Sequence, residues 1–342
     1  MLVSVTGGTG FLGSHSVAAI AMAGHTVRLL VRDESTVDRS LTPLGIDASA
    51  VEVITGDVTD ERGVAALVRG ADAVLHAAAV YSFDSRKRRI MRRTNEIGTE
   101  VVLGAARRAG VSRIVHVSTV AAMLPAAGDI LRADSPVGTA REPYLASKAA
   151  AERIARRHQA EGAPVVITYP PALIGPHDPY LGDQNARLRN ALRGLMPIWP
   201  SGGFPMGDVR DTAKLHARLM DDGVLPGNRF FGPGTYLSTR DYVRFLREVT
   251  DRALPAIFLP APAMTPVGRL TSALQRVWPW HIPAEYGAIY LCGCATRVAP
   301  EEHTGGVTAR PAADSLRDTV RWLHERGLLA DRQSGRIAKA VA

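Results

Sequence analysis

The sequence predicts an α/β fold, in which a doubly wound parallel sheet precedes a smaller C-terminal domain. In the first half of the chain, short β-branched runs alternate with Ala-rich stretches, which is the pattern of buried parallel strands joined by helices. After about residue 175 this alternation stops, and Pro and Gly interrupt the chain repeatedly. We expect a sheet domain over 1–175, with segments around 206–235 returning to it. A mainly substrate-binding domain would follow over 176–330, and a frayed polar tail over 331–342.

Each element of the first half has its own local signal. Six runs rich in β-branched residues are predicted strands: LVSVTGG, TVRLLVR, VEVITGD, AVLHAAA, RIVHVST and PVVITYP. Four runs between them are predicted helices: GSHSVAAIAMAG, ERGVAALVRG, GTEVVLGAARRAG and SKAAAERIARRHQAEG. Gly24, Gly70 and Gly110 follow three of these helices, at the place where a left-handed cap residue belongs.

Composition and charge narrow the class of protein. The 342 residues are 46% hydrophobic and 22% charged, as in ordinary globular proteins. The net charge of +8 comes from arginines interspersed with acids, and the densest basic run lacks aromatic residues, so we expect no nucleic-acid partner. No apolar run is long enough for stable membrane insertion. A strand at the very start leaves no room for a signal peptide, and the two cysteines, Cys292 and Cys294, fit a reducing compartment. We therefore expect a cytoplasmic protein without a metal site.

The first strand runs directly into a glycine-rich loop. In VSVTGGTGFLGSH, Gly7, Gly10 and Gly13 are spaced as G-x-x-G-x-x-G. Glycine is needed where the chain turns tightly, where backbone approaches a pyrophosphate, and where the helix packs close to the strand. The helix N-terminus then offers free N–H groups to phosphate. The loop thus predicts a Rossmann-type dinucleotide site. Three further loop residues are expected to border the cofactor: Thr9, Phe11 and Leu12.

The ends of the second and third strands are expected to hold the adenosine part of the cofactor. Arg32 stands just after the position where an NAD-binding protein often carries an acid. A guanidinium can clamp a 2′-phosphate through a forked, charge-assisted hydrogen bond, so we favour NADP(H) over NAD(H); the direction of the neighbouring Asp33 is left open. Asp57 could accept from the adenine amino group while Val58 packs on the ring. Alternatively, Asp57 forms an Asx turn or caps the next helix.

A tyrosine and a lysine four residues apart are candidates for a catalytic pair. In PYLASKAAAER, a run that favours helix, Tyr144 and Lys148 fall on one face. This suits a catalytic pair, but also an aromatic residue packed beside a solvated ammonium. Reducing a ketone needs a hydride on carbon and a proton on oxygen. A nearby ammonium, aided by the positive nicotinamide of an oxidised cofactor, would lower the tyrosine pKa from its ordinary value of about 10 and so ease proton exchange at neutral pH.

Several motifs occur in order along the chain: TGGTGFLG, GDVTD, HAAA, TNEIGT, VHVST, YLASK, PPALIGPHDP and GDVRDTAKLHARLM. Together they resemble the extended and atypical short-chain dehydrogenase/reductase family, within the NAD-dependent epimerase/dehydratase superfamily. The likeness is greatest to the dihydroflavonol reductase and 3β-hydroxysteroid dehydrogenase-like group, and it is looser after about residue 180. It implies hydride transfer and, as in many relatives, a homodimer formed through the helices that carry YLASK and GTEVVLGAARRAG.

The resemblance implies a role for each matching residue. Tyr144 would be the catalytic acid/base and Lys148 its partner, while Thr119, 25 residues before the tyrosine, would bind the substrate carbonyl, with Ser118 as the alternative. Asn95 would be a scaffold residue. Residues expected beside the cofactor are Ala77, Ala78, Pro170 and Leu173, of which the last two also fit an ordinary rigid loop.

These observations predict an NADP(H)-dependent oxidoreductase (EC 1.1.1.-) that reduces a ketone or aldehyde of a small apolar molecule, or oxidises the alcohol. One alternative is a nucleotide-sugar epimerase with tightly bound NAD, and a second is a non-catalytic NADP-sensing protein. The aromatic residues that could line a substrate pocket could equally be core residues: Tyr81, Phe83, Trp199, Trp278 and Trp280.

Overall fold

A computed structural model describes residues 1–221, 227–274, 286–299, 302 and 304–339. Its strands, in chain order, are β1 (Leu2–Thr6), β2 (Thr26–Val31), β3 (Glu52–Thr55), β4 (Ala73–His76), β5 (Arg113–Val117), β6 (Ile130–Leu131), β7 (Val165–Tyr169), β8 (Ala172–Ile174), β9 (Ile198–Ser201), β10 (Gly203–Asp208), β11 (Arg229–Phe231), β12 (Thr235–Ser238), β13 (Ile257–Pro260) and β14 (Arg297–Val298). All six strands predicted in the first half are present.

The helices, in chain order, are α1 (Phe11–Met22), α2 (Ser35–Leu41), α3 (Glu61–Val68), α4 (Arg88–Arg92), α5 (Gly98–Arg108), α6 (Pro143–Ala160), α7 (Asp183–Leu192), α8 (Val209–Met220), α9 (Thr239–Thr250), α10 (Ala261–Leu274), α11 (Tyr286–Cys294), α12 (Ala312–Glu325), α13 (Asp331–Ser334) and α14 (Arg336–Lys339). A π-helical turn, Arg93–Ile97, joins α4 to α5. The predicted cap residues Gly24, Gly70 and Gly110 all have positive φ, between 70° and 88°.

The main sheet has seven parallel strands in the order β11–β7–β5–β4–β1–β2–β3. From β1 the chain turns to one side for β2 and β3, and then to the other side from β4 onwards. In such doubly wound sheets the crevice beyond the carboxyl ends of the strands at this switch point is the ligand site. The structure therefore confirms the predicted Rossmann-type fold and places the glycine loop, which follows β1, beside that crevice.

Both faces of the main sheet are covered by helices. Because successive side chains of a strand point to opposite faces, Val74 of β4 packs with residues of α3, α5 and α6, whereas Leu75 packs with residues of α1 and α8. Each face thus has its own apolar core, as the near-continuous apolar strands of the sequence indicate.

The later part of the chain has a third core. Residues of α7, α9 and α12 surround Trp199, Phe204 and Leu237, and β10 joins β8 and β12 in a three-stranded sheet. β11 belongs instead to the main sheet, where it pairs with β7. The exact division of the chain into domains stays a prediction. No helix in the described ranges is long and apolar enough to cross a bilayer.

The expectation of a frayed tail over 331–342 is wrong for residues 331–339. These residues form α13 and α14, and Ile337 is buried in the third core. The guanidinium of Arg252 also donates to the carbonyl oxygen of Gln333 at 2.8 Å. The tail is held because one apolar side chain and one backbone carbonyl find partners that a polar-looking sequence does not reveal.

Candidate active site

The glycine loop is shaped by close backbone approaches. Gly7 has φ +75°, and a Cβ there would lie 2.6 Å from the backbone nitrogen of Ala78, just after β4. A Cβ on Gly13 would lie 1.9 Å from the carbonyl oxygen of Gly7. Gly10 is the N-cap of α1 and supplies no side-chain cap. The first N–H groups of α1 therefore face the loop without a side-chain acceptor, as a helix terminus that binds phosphate requires. These residues fit the diphosphate of a dinucleotide.

Arg32 and Asp33 take different directions at the end of β2. Asp33 turns to the start of α2, where it accepts from the backbone N–H and the hydroxyl of Ser35, and these bonds lower the pKa of Asp33 below its ordinary value. Arg32 is exposed and, within the described ranges, forms no ion pair or hydrogen bond. Its charge acts on Asp57 at the end of β3. This geometry leaves a guanidinium, and not a carboxylate, available at the end of β2.

Asp57 makes the Asx turn that the sequence left open. Its carboxylate accepts from the backbone N–H and the hydroxyl of Thr59, at 2.9 and 2.7 Å. Burial would raise the pKa of Asp57, but these bonds and the charges of Arg32 and Arg93 bring it below its ordinary value. The helix cap is Asp60 instead. Val58 is buried. The turn does not exclude adenine binding, because a carboxylate can accept several hydrogen bonds.

Helix α6 positions the tyrosine and the lysine. Glu142 caps the helix by accepting from the backbone N–H of Leu145 at 2.9 Å, and Pro143 opens the first turn. Tyr144 and Lys148 follow on the buried face, with 7% and 5% exposure. The ammonium of Lys148 donates to the carbonyl of Val117, at the end of β5, at 3.3 Å.

Two polar residues complete the surroundings of Tyr144. The Thr119 hydroxyl lies near Tyr144, whose pKa it lowers, and donates to the carbonyl of Pro170 at 3.4 Å, whereas the buried Ser118 hydroxyl has no partner among the described residues. The side-chain amide of Asn95 donates to the carbonyl of Val80 at 3.1 Å and to the Ser147 hydroxyl at 3.0 Å. Asn95 thus ties the segment after β4 to α6, which is a structural role.

Burial dominates the pKa values of both residues of the pair. Burial raises the pKa of Tyr144 well above its ordinary value, with smaller contributions from Tyr81, Glu142 and Asp183, and only the hydrogen bond with Thr119 lowers it. Burial also lowers the pKa of Lys148 to about 8, against the opposing charge of Glu152. Desolvation has this effect on both groups because both are enclosed by protein, and it favours the neutral form of each.

One cavity, of about 330 Å³, brings the glycine loop and α6 together. Its polar end holds Tyr144, Lys148, Thr119 and Ser118. Predicted cofactor residues that line it are Gly7, Gly10, Phe11, Leu12, Gly13, Ala77, Pro170 and Leu173. Predicted residues outside its lining are Thr9, Arg32, Asp57, Val58, Ala78 and Phe83. The rest of the wall is largely apolar, with Asp178, Asp183 and Gln184 as further polar residues, so the cavity suits a carbonyl group on a mainly apolar body.

Comparison with known proteins identifies the family of the chain. The NAD dependent epimerase/dehydratase family matches residues 3–230. The chain belongs to this family. It is 27% identical to sterol demethylase protein B of Methylococcus capsulatus, over 96% of this chain and 100% of that protein. A putative dihydroflavonol 4-reductase of Synechocystis is 33% identical over 76% of this chain and 74% of its own. The crystal structure of gox2253 superposes with a TM-score of 0.77 at 26% identity, covering 96% and 99% of the two chains.

Relatives within the epimerase/dehydratase family include proteins named as ketoreductases and as dTDP-glucose 4,6-dehydratases. Because these relatives differ in their named activities, the residues that would contact the substrate are the ones that distinguish one function from another. Tyr81 lines the cavity, and Phe83 lies behind it; both rings pack edge-on against Tyr144, at 4.7 and 5.6 Å between centroids. Trp199 is instead a core residue, packed against Tyr242. Trp278 and Trp280 lie outside the described residues.

Sequence reasoning missed several residues of the wall. Leu124, Phe204, Leu291 and Ala295 all line the cavity. The last two lie in a short apolar segment, YGAIYLCGCATRV, whose composition is typical of core or pocket lining. No comparable signal marks Phe204, which reaches the cavity from β10. In the described ranges, no three His, Cys, Asp or Glu side chains cluster as a metal site would require.

Proposed function

We propose that this protein is an NADP(H)-dependent oxidoreductase that reduces a ketone or aldehyde of a small apolar molecule, or oxidises the corresponding alcohol. One observation supports this most: Tyr144, Lys148 and Thr119 meet the glycine loop in a single cavity with a largely apolar wall. The loop accommodates a dinucleotide diphosphate, and NADPH when bound would supply the hydride. Exposed Arg32, with Asp33 turned away to Ser35, supports a 2′-phosphate and therefore NADP(H).

The chain's own residues supply the proton and the alignment. In reduction, the Tyr144 hydroxyl gives its proton to the substrate oxygen as the carbonyl carbon gains a hydride, and the product is an alcohol. Thr119 donates to the same oxygen where negative charge develops. The raised pKa of Tyr144 keeps the proton on the phenol until it is needed. The positive charge of Lys148 then stabilises the phenolate that remains.

The other functions fit the site less well. A sugar-nucleotide dehydratase needs acids directly after the carbonyl-binding hydroxyl, but here Val120–Met123 form an apolar turn. Epimerases such as the UDP-glucose 4-epimerase of Bifidobacterium longum share only 17% identity with the chain, which supports the fold alone. A protein that only senses NADP has no need to bury a tyrosine, a lysine and a threonine together.

The test is NADPH oxidation by the purified protein with a panel of sterol, flavonoid and aliphatic ketones and aldehydes. On any substrate found, Tyr144→Phe should lower kcat by roughly 10²- to 10⁴-fold while NADPH affinity persists. Tyr180→Phe is the matched control, because Tyr180 is exposed and outside the cavity lining. Near wild-type turnover of Tyr144→Phe would overturn the proposal. NAD that stays with the protein until denaturation would favour the epimerase.

A further inference from the structure

Helix α10 presents an apolar stripe to solvent. Ala263, Val267, Leu270 and Leu274 follow one another at intervals of four, three and four residues, so they share one face of the helix. The only charged residue of α10 is Arg269. The opposite face packs on α11, where Gly268 approaches Tyr286 and Ile289 closely. The stripe is therefore not the buried face of an ordinary amphipathic helix.

The stripe continues onto the strands before it. β13 leads directly into α10 and pairs with β9, so Ile257 lies beside Ile198. We use the term apolar platform for Ile198, Ile257, Leu259, Val267, Leu270 and Leu274, which are between 39% and 61% exposed. Single exposed apolar residues are common on proteins, whereas a contiguous group of large ones marks an interaction surface.

We propose that the apolar platform seats on an anionic lipid bilayer, and that the cavity exchanges its apolar substrate with that bilayer. The second half of this statement rests on the proposed reductase function; the first half does not. Docking would be peripheral, with α10 lying in the interface, as helices with an apolar face and basic neighbours do.

Charge favours one occupant. The segments 186–200, 252–274 and 286–299, which include every platform residue, contain no Asp or Glu, although Asp183, Asp241 and Asp251 lie nearby in the sequence. All their charged residues are arginines: Arg187, Arg189, Arg193, Arg252, Arg269 and Arg297. The Arg240 guanidinium also lies 4.5 Å from the ring centroid of Phe258 on β13. Such a surface attracts anionic headgroups. It opposes a second copy of the chain, because two platforms would bring arginines against arginines.

Helix α11 lies between α10 and the cavity that holds Tyr144. Leu291 and Ala295, at the end of α11, line the cavity. Gly287 at its start packs so closely on Phe83 that a Cβ would lie 2.1 Å from the ring, and Phe83 contacts Tyr144. A molecule dissolved in lipid beneath α10 would thus reach the cavity past α11 without passing through bulk water.

The experiment is co-sedimentation of the full chain with vesicles of phosphatidylcholine alone and of an equimolar mixture with phosphatidylglycerol. We expect binding to the anionic vesicles, weakened by salt, and about tenfold or more loss of that binding in the double variant Val267→Glu, Leu270→Glu. Met22→Glu, at an even more exposed apolar residue on α1, is the control and should bind as wild type does. Unchanged thermal unfolding and NADPH affinity would show that the double variant is folded.

Each outcome decides the question. Equal vesicle binding by the wild type and the double variant, or no binding to either vesicle, overturns docking. A wild-type dimer that becomes a monomer in the double variant, without vesicle binding, overturns it in favour of self-association. These results need no substrate, so they leave the reductase proposal intact. Conversely, an active Tyr144→Phe would remove the reductase proposal without affecting vesicle binding. For the exchange step, the double variant should lose activity on vesicle-borne ketones but keep it on water-soluble ones; equal loss overturns that step.

Discussion

The carbonyl oxygen of Gly7 occupies the space that a side chain on Gly13 would need. A Cβ built on Gly13 would lie 1.9 Å from that oxygen, whereas one on Gly10 would lie 3.4 Å from it and meet nothing closer. Gly10 also has φ −82°, which any residue adopts. Gly13 is therefore required by the fold itself, while at Gly10 the protein alone leaves room for a methyl group.

This difference predicts opposite effects of two alanine substitutions. Gly13→Ala should destabilise the protein by about 1–3 kcal/mol or more, because backbone must move to relieve the clash. Gly10→Ala should leave thermal unfolding nearly unchanged but weaken NADPH binding at least about tenfold, since the added methyl stands where the diphosphate would approach. Thermal unfolding and fluorescence titration with NADPH measure the two effects. Wild-type affinity in Gly10→Ala would mean that this loop does not hold the diphosphate.

Arg32 should decide the choice between the two nicotinamide cofactors. Arg32→Ala should weaken NADPH binding by about 10- to 100-fold, the value of one charge-assisted hydrogen-bonded pair of about 1.5–3 kcal/mol. NADH binding should change little, because NADH lacks the 2′-phosphate. Titration of both cofactors measures the preference. Arg62→Ala, at another exposed arginine, is the control, and an unchanged preference in Arg32→Ala would contradict the assignment to NADP(H).

The parts of the fold that the sequence predicted are those with local causes. The strand after Met1 and the turn at Gly7 follow from apolar runs and from glycine spacing, which act over a few residues. Gly24, Gly70 and Gly110 were predicted as helix ends because few residue types other than glycine adopt the left-handed conformation found there. Tyr144 and Lys148 were predicted to share one face because the helical repeat fixes the positions of residues four apart.

The parts that were missed depend on contacts between distant segments. Phe204 reaches the cavity only because β10 pairs with β8, and Ile337 is buried only because α9 and α12 leave space for it. The burial of Tyr144 could not be predicted from the spacing of the pair, because it depends on residues of other segments. Tyr81 and Phe83, which come from the segment after β4, pack against the Tyr144 ring, and burial raises the pKa of Tyr144.

Glu142, which caps α6, makes the stability of the folded protein depend on pH. Burial raises the pKa of this carboxyl from 4.5 to about 7, although it accepts from the backbone N–H groups of Leu145 and Tyr144. Because the folded-state pKa exceeds the ordinary one, Glu142 contributes stability that is fully present below about pH 4.5. This contribution is lost as pH rises through about 7. One pKa unit corresponds to about 1.4 kcal/mol, so the loss amounts to a few kcal/mol at most.

Glu142→Gln should remove this pH dependence and keep the cap, since the amide oxygen can still accept from Leu145. Urea unfolding of the wild type and of Glu142→Gln at about pH 5 and about pH 8 measures the pH dependence of stability. Comparing the two proteins cancels the titration of all other groups. We expect the wild type to lose stability relative to Glu142→Gln between these pH values; Glu142→Ala should be less stable at both, by about 1 kcal/mol for the lost cap. A constant difference between wild type and Glu142→Gln would show that Glu142 is ionised throughout this range. The charge of an ionised Glu142 would then add to the burial that raises the pKa of Tyr144, and Glu142→Gln would shift the pH profile of reduction instead of stability.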